Sequence, residues 1–233
     1  MIATNNIVKV LGEKMVLRGL DLTIDRGESV AVLGANGAGK STWLKIVAGL
    51  LQPTDGEVLL DGQKRKKDDY VYQQQIGYLG HQSFLYDAFS PVENLTFFAK
   101  LYHMKAPEKR IHQLIDEVGL TFFKHEPVRT FSRGMMQRLA IARAILHEPT
   151  ILLLDEPYTG LDQQAVQLLN RLLLELREKG VTIVIVTHDF DHIKKVCDRV
   201  VVLRKGKVAE DEQIGERSVQ WIHHLYNGEA VSV

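Results

Sequence analysis

The chain has 233 residues, 29 basic against 29 acidic side chains, 45% hydrophobic residues and one cysteine. Its length bounds it to one large domain that can bury a core without metal or disulfide support. A net charge of zero gives no general basic field for nucleic acid, Cys197 alone excludes an internal disulfide and fits a reducing compartment, and no apolar run approaches the ~18 residues of a membrane span.

Short apolar runs recur between turn signals along the chain. Residues 7–10 and 20–24 read as strands, and residues 29–33 as a buried strand that runs into glycine. Residues 40–50 read as a helix. Residues 57–60 form a further strand ending in an Asp61-Gly62 hairpin turn, and residues 76–79 another. The character changes at Ser90-Pro91-Val92-Glu93, a capping box with proline at the first helical position. Residues 107–118 and 134–145 continue as helices. Residues 150–154 and 181–186 are continuous apolar strands of the kind covered on both faces. Between them Asp162 caps a long amphipathic helix that stops near Gly180. Residues 199–203 and 207–209 pair across Lys205-Gly206. The first thirty residues lack the basic, apolar and small-residue succession of a secretory leader. Any path across a membrane is therefore expected from another chain.

The strongest motif is Gly34-Ala35-Asn36-Gly37-Ala38-Gly39-Lys40-Ser41-Thr42, which matches G-x-x-x-x-G-K-[ST] in full between a buried strand and a helix. Gly34, Gly37 and Gly39 let the backbone turn tightly and aim N–H groups at phosphate oxygens, with Asn36 and Thr42 in the same loop and first turn. The helix adds its positive end. Lys40 is expected to reach the β- and γ-phosphates and Ser41 to hold Mg²⁺. Asp155, at the end of the strand Ile151-Leu152-Leu153-Leu154, can bind the ion through water. Glu156 points differently from its neighbour and can polarise an attacking water.

With these residues in place, the chain resembles the ATP-binding subunits of ABC transporters over almost its whole length. Thr159-Gly160-Leu161-Asp162 is similar to the family's D-loop, and Thr187-His188-Asp189 stands where the family has its switch histidine. Gln82 falls at the Q-loop glutamine. Phe131-Ser132-Arg133-Gly134-Met135-Met136-Gln137-Arg138 falls at the LSGGQ signature. Arg133 and Met135 depart from that pattern, while Ser132 and Gly134 keep it. Leu11, before Gly12, stands where the family places an aromatic against adenine; leucine can cover the base but lacks the π-face.

The resemblance implies an α/β P-loop NTPase with a RecA-like core, an antiparallel β subdomain and an inserted α-helical subdomain. It implies one ABC ATPase domain over residues 1–233, with the core at about 1–87 and 146–233 and the helical subdomain at about 88–145. ATP and Mg²⁺ are the implied ligands, and Ser41, Gln82 and Asp155 the implied metal-side residues. A homodimer or heterodimer of ATPase subunits is implied, with Lys40, Ser41, Asp155 and Glu156 of one facing Ser132 and Gly134 of the other. His188 would hold the γ-phosphate, Gln82 would sense the ion and the water, and Asp162 would carry information across the interface. Residues 90–101 would receive an integral membrane permease subunit, placing the chain in the cytoplasm on the inner face of the membrane. No nucleic-acid partner is expected.

Cargo is not written in these motifs. The Ser-Arg-Gly-Met signature resembles the haem-exporter ATPases of cytochrome c biogenesis, with drug or antibiotic exporters close behind. An iron–sulfur assembly ATPase remains the non-transport alternative. A P-loop kinase or GTPase leaves residues 132–138 and His188 without a task. The run Lys64-Arg65-Lys66-Lys67, followed by Asp68-Asp69, reads as a solvated loop. Cys197 reads as a packed helix residue, and Leu168, Leu169, Leu172, Leu173 and Leu176 as a core stripe. His223-His224 lack ligand-spaced partners for a metal. Trp221 and Tyr226 read as a C-terminal segment docked on the chain's own core.

Overall fold

A computed structural model describes residues 1–66, 69–80 and 82–228. The chain opens with two long strands, β1 (Ile2–Leu11) and β2 (Lys14–Ile24), then β3 (Ser29–Leu33) and α1 (Lys40–Val47). Next come β4 (Asp55–Leu60), β5 (Gln63–Lys64), α2 (Tyr70–Gln74) and β6 (Ile76–Leu79). Three helices follow, α3 (Pro91–Leu101), α4 (Glu108–Glu117) and α5 (Arg133–Ile145). The remainder alternates: β7 (Ile151–Asp155), α6 (Gln163–Glu178), β8 (Thr182–Val186), α7 (Phe190–Val196), β9 (Arg199–Arg204), β10 (Lys207–Gln213) and α8 (Val219–Asn227).

The strands form two sheets. A four-stranded antiparallel sheet has the order β2-β1-β4-β5, and a six-stranded sheet has the order β10-β9-β3-β8-β7-β6. In the second sheet β9, β3, β8, β7 and β6 run parallel, and β10 pairs antiparallel with β9. The parallel strands are apolar on both faces because each face has its own core. Ala31, Leu33, Leu152, Leu154, Ile183 and Ile185 point into a core shared with α3 to α8. Their neighbours Val30, Val32, Ile151, Leu153, Val184 and Val186 point into a second core with α1 and the antiparallel sheet. A period-2 backbone sandwiched between two layers needs apolar residues at every position, which is the continuous pattern the sequence carries.

The register brings strand ends level. Val32 lies opposite Val186, Val186 opposite Asp155, and Leu154 opposite Leu79. The carboxyl ends of β3, β8, β7 and β6 therefore open onto one edge. Open parallel sheets bind ligands at such an edge.

Several elements differ from the sequence expectation. β1 and β2 extend well beyond residues 7–10 and 20–24, because the polar pair Asn5-Asn6 interrupts the alternation at a bulge, with Asn6 at φ 49°. α1 ends at Val47 rather than residue 50: Gly49, at φ 79°, closes the helix although the apolar pattern runs on. α2 is a single short helix with too few residues to show a helical period in the sequence; Asp69 caps it by accepting from Tyr72 N–H at 3.1 Å. In the basic run, Lys64 belongs to β5, and the Arg65 guanidinium donates to the Ile46 carbonyl and to Gln52 Oε1. Arg65 is thus a strut rather than a solvated charge, and Lys67 and Asp68 lie outside the described residues. β10 runs on to Gln213 through Glu210, Asp211 and Glu212, charges that suit an edge strand. Cys197 is buried as expected, but it stands just past α7 with extended backbone rather than inside the helix.

The capping box at Ser90 is present with both of its hydrogen bonds, and Asp162 caps α6 by accepting from Ala165 N–H at 2.8 Å. Ile222 and Leu225 of α8 enter the core, with Trp221 and Tyr226 packed beside them. Among the described residues no helix is long and apolar enough to cross a membrane. On α6, Leu173 is fully buried while the adjacent Leu174 is 38% exposed. Leu173→Ala is expected to lower the free energy of unfolding by about 2–5 kcal/mol, and Leu174→Ala to stay within about 0.5 kcal/mol, both read from urea denaturation midpoints.

Candidate active site

At the open edge of the parallel strands lies a cavity of about 620 Å³. The phosphate loop forms one wall, with Asn36, Gly37, Gly39, Lys40, Ser41 and Thr42 lining it. Two glycines are required here for defined reasons. Gly34 has φ 148°, and a Cβ on it would stand 2.4 Å from the Leu203 carbonyl oxygen. Gly39 has φ 104°, and its Cβ would meet Leu17 Cδ2 at 2.6 Å. Only a glycine lets the loop leave β3 and enter α1 this closely against the neighbouring strands.

α1 carries no side-chain cap and no acidic residue in its first turn. Ser90, Asp162, Asp189 and Ser218, by contrast, cap their own helices. The first-turn N–H groups and positive end of α1 are thus left for an anion in the cavity. Lys40 is buried, and its ammonium donates to the Gly34 carbonyl at 2.6 Å and the Ala35 carbonyl at 3.2 Å. Burial pulls its pKa below the ordinary lysine value, and the nearby Glu156 and Asp155 charges pull it back up.

The opposite wall comes from β7 and β8. Asp155 is the last residue of β7 and almost fully buried, and Ser41 Oγ donates to its Oδ1 at 3.0 Å. The two hard oxygen donors meet from opposite walls, a donor set that fits a small divalent cation. At Glu156 the backbone turns to φ 52°, a left-handed conformation that costs a non-glycine residue about 1–2 kcal/mol. Its N–H donates to the Val186 carbonyl at 2.7 Å, which fixes the turn against β8. The turn sends the Glu156 side chain toward His188, whose Nε2 lies 3.3 Å from Glu156 Oε1. Asp155, Glu156 and His188 all line the cavity, together with Thr159 and Val186.

A second cavity, of about 340 Å³, adjoins the first on the other side of Asp155 and Glu156. Gly80, Ser83, Arg133, Met136 and Gln137 line it. Arg133 lies across Gly160 of its own chain, and Gln137 Nε2 donates to the Pro157 carbonyl at 3.0 Å. Neither Ser132 nor Gly134 lines the first cavity. Ser132 Oγ instead caps α5, accepting from Met135 N–H at 3.2 Å. Asp162 serves as the α6 cap, and Gln82 is exposed beside Ser83. Leu11 is 46% exposed and lies outside the lining, because it sits at the β1–β2 turn. Val16, further along β2, lines the cavity in its stead. The sequence offered little to find Val16, since it carries no motif and only the hairpin register brings it to the loop.

Comparison with known proteins agrees with this architecture. The family model described as ABC transporter matches residues 17–159. The chain belongs to the ABC transporter family. It is an ATP-binding subunit of that family and an ATPase. It is 38% identical to the ABC transporter ATP-binding protein NatA of Bacillus subtilis (strain 168), over 82% of this chain and 79% of that one. It is 32% identical to the linearmycin resistance ATP-binding protein LnrL of the same organism, over 89% and 68% respectively. The ATP-binding cassette MJ0796, solved as a dimer in a post-hydrolysis state bound to ADP and Pi, superposes with a TM-score of 0.84 at 31% identity, covering 92% of this chain and 99% of that one. The fold anticipated from the motifs, a P-loop NTPase of the ABC type, is the fold found.

Gly34→Ala is expected to abolish nucleotide binding in a fluorescent-nucleotide titration and to lower the melting temperature. The new Cβ collides with backbone at Leu203 rather than with a side chain that can move.

Proposed function

We propose that this subunit hydrolyses ATP with its Mg²⁺ in a composite site and drives export through separate permease subunits. The observation that carries the reading is the paired approach across one cavity, Ser41 to Asp155 and Glu156 to His188. The phosphate-loop N–H groups and Lys40 take the β- and γ-phosphates, with Lys40 exchanging its carbonyl partners for phosphate oxygens. Ser41 and Asp155, with Gln82 from the neighbouring strand end, hold the Mg²⁺, which when bound neutralises charge on the phosphates. Glu156 orients a water in line with the γ-phosphate and takes its proton as the phosphorus–oxygen bond to ADP breaks. His188 holds the γ-phosphate and keeps the Glu156 carboxylate aimed. Val16, which lines the cavity, gives the base apolar cover.

Ser132 and Gly134 stand away from their own chain's cavity. They serve a second subunit, homomeric or heteromeric, arranged head to tail, with Asp162 near the seam. The solved dimer of MJ0796 supports the pairing of two such subunits. Residues 88–145 act as the helical subdomain that meets the permease at the inner membrane face. Export of an antibiotic-like compound draws support from the likeness to LnrL, a resistance protein by name. Export of haem for cytochrome c biogenesis rests on the Ser132-Arg133-Gly134-Met135 form alone.

Glu156→Gln is expected to bind ATP with unchanged affinity and to lose turnover by about 10²–10⁴-fold. Equilibrium binding and a phosphate-release assay measure the two quantities. Near-normal turnover would remove Glu156 as the base.

A further inference from the structure

Glu156 and His188 reach each other from separate strands, so their separation depends on the loops that follow β7 and β8. Those loops are joined behind the cavity. Tyr158, two residues past Glu156, donates its hydroxyl to Asn170 Oδ1 at 2.9 Å. Asn170 Nδ2 faces His192 Nδ1 at 3.4 Å, and His192 Nε2 lies 3.4 Å from Asp189 Oδ2, next to His188. The Tyr158 and His192 rings pack with centroids 4.5 Å apart, and the Asp189 N–H donates to Thr187 Oγ1 at 3.1 Å.

We propose that Asn170 is a positioning residue for hydrolysis, clamping the Glu156 loop to the His188 loop through the chain Tyr158–Asn170–His192–Asp189. The inference rests on the catalytic roles proposed above for Glu156 and His188. Three observations carry it. First, the partners are complementary: the tyrosine hydroxyl donates to the amide oxygen, the amide nitrogen faces His192 Nδ1, and His192 Nε2 on the other side of the ring lies against the Asp189 carboxylate. Burial raises the Tyr158 hydroxyl far above its ordinary pKa, which keeps it a donor. Second, the clamp stands on a rigid element. Asn170 is inside α6, whose Leu169, Leu172 and Leu173 are anchored in the core. Third, the position does not favour asparagine for stability, because asparagine is a weaker helix former than leucine in a helix interior. The amide touches both Tyr158, in the loop after β7, and His192, on α7 just past the β8 loop.

A fixed geometry at the reacting water matters because small displacements cost large factors in rate. Loss of the clamp should therefore lower kcat and spare nucleotide binding, which uses the phosphate loop. The test is steady-state ATPase kinetics and ATP binding of the purified full chain carrying Asn170→Leu, Asn170→Ala or Tyr158→Phe. Asn170→Leu is expected to lower kcat by about five-fold or more, with KM and ATP affinity within about two-fold of the parent. Its melting temperature should not fall in proportion, which separates positioning from scaffolding. In a His188→Ala background the same substitution should cost less than about two-fold more, because the two act on one arrangement. Asn170→Ala and Tyr158→Phe give the same comparison if the leucine variant fails to fold. A parental kcat for the folded Asn170 variants, or an equal loss in both backgrounds, overturns the inference. If Glu156→Gln is inactive while Asn170→Leu turns over normally, the positioning role alone falls. If Glu156→Gln stays active, the catalytic reading beneath it falls.

Discussion

Four parallel strands ending level is the constraint on which the rest of the molecule depends. Val32, Val186 and Asp155 lie side by side in register. The next residues of three different segments, the phosphate loop, Thr187-His188 and Glu156, are thereby delivered to one edge. No single loop could hold a lysine, a serine, two acids and a histidine at these distances. The sheet does so because each strand is clamped between two cores, with alternate residues committed to opposite sides. A slip of one residue in any of these strands would reverse its faces and withdraw its functional end.

The backbone at that edge is shaped against local preference. Glu156 is left-handed, and the phosphate loop enters α1 through a left-handed glycine. α1 begins without a side-chain cap, while most helices around it are capped. Each feature costs stability by itself. Together they leave N–H groups, a buried ammonium and a turned carboxylate facing the same 620 Å³ of space. Stabilisation from the two cores permits this, as stability stored in packing commonly offsets strain held at a site.

Much of this was legible in the sequence, for identifiable reasons. Continuous apolar runs marked β3, β7 and β8 because strands covered on both faces leave no room for polar residues. Ser90 and Asp162 announced helix starts because their side chains satisfy orphan N–H groups. The phosphate loop was legible because its glycines have no substitute. Other features were hidden because their causes are not local. The bulge at Asn5-Asn6 masked half of the β1–β2 hairpin, and Val16 reaches the cavity only through that hairpin's register. Asn170 looks like one polar residue in a leucine stripe. Its bonds to Tyr158 and His192 follow from packing among α6, α7 and the loop after β7, which no sequence period encodes.

In the proposed composite site each chain supplies one half of the chemistry, and Ser132 and Gly134 lie outside the cavity of their own chain. The most direct measurement mixes two inactive variants, Lys40→Ala and Ser132→Ala, and follows ATP turnover. A mixed dimer holds one site with Lys40 and Ser132 both intact. The account predicts that the mixture regains activity that neither variant shows alone, rising with their ratio toward one to one. Activity no greater than the sum of the separate variants, in a mixture shown to contain mixed dimers, would contradict it.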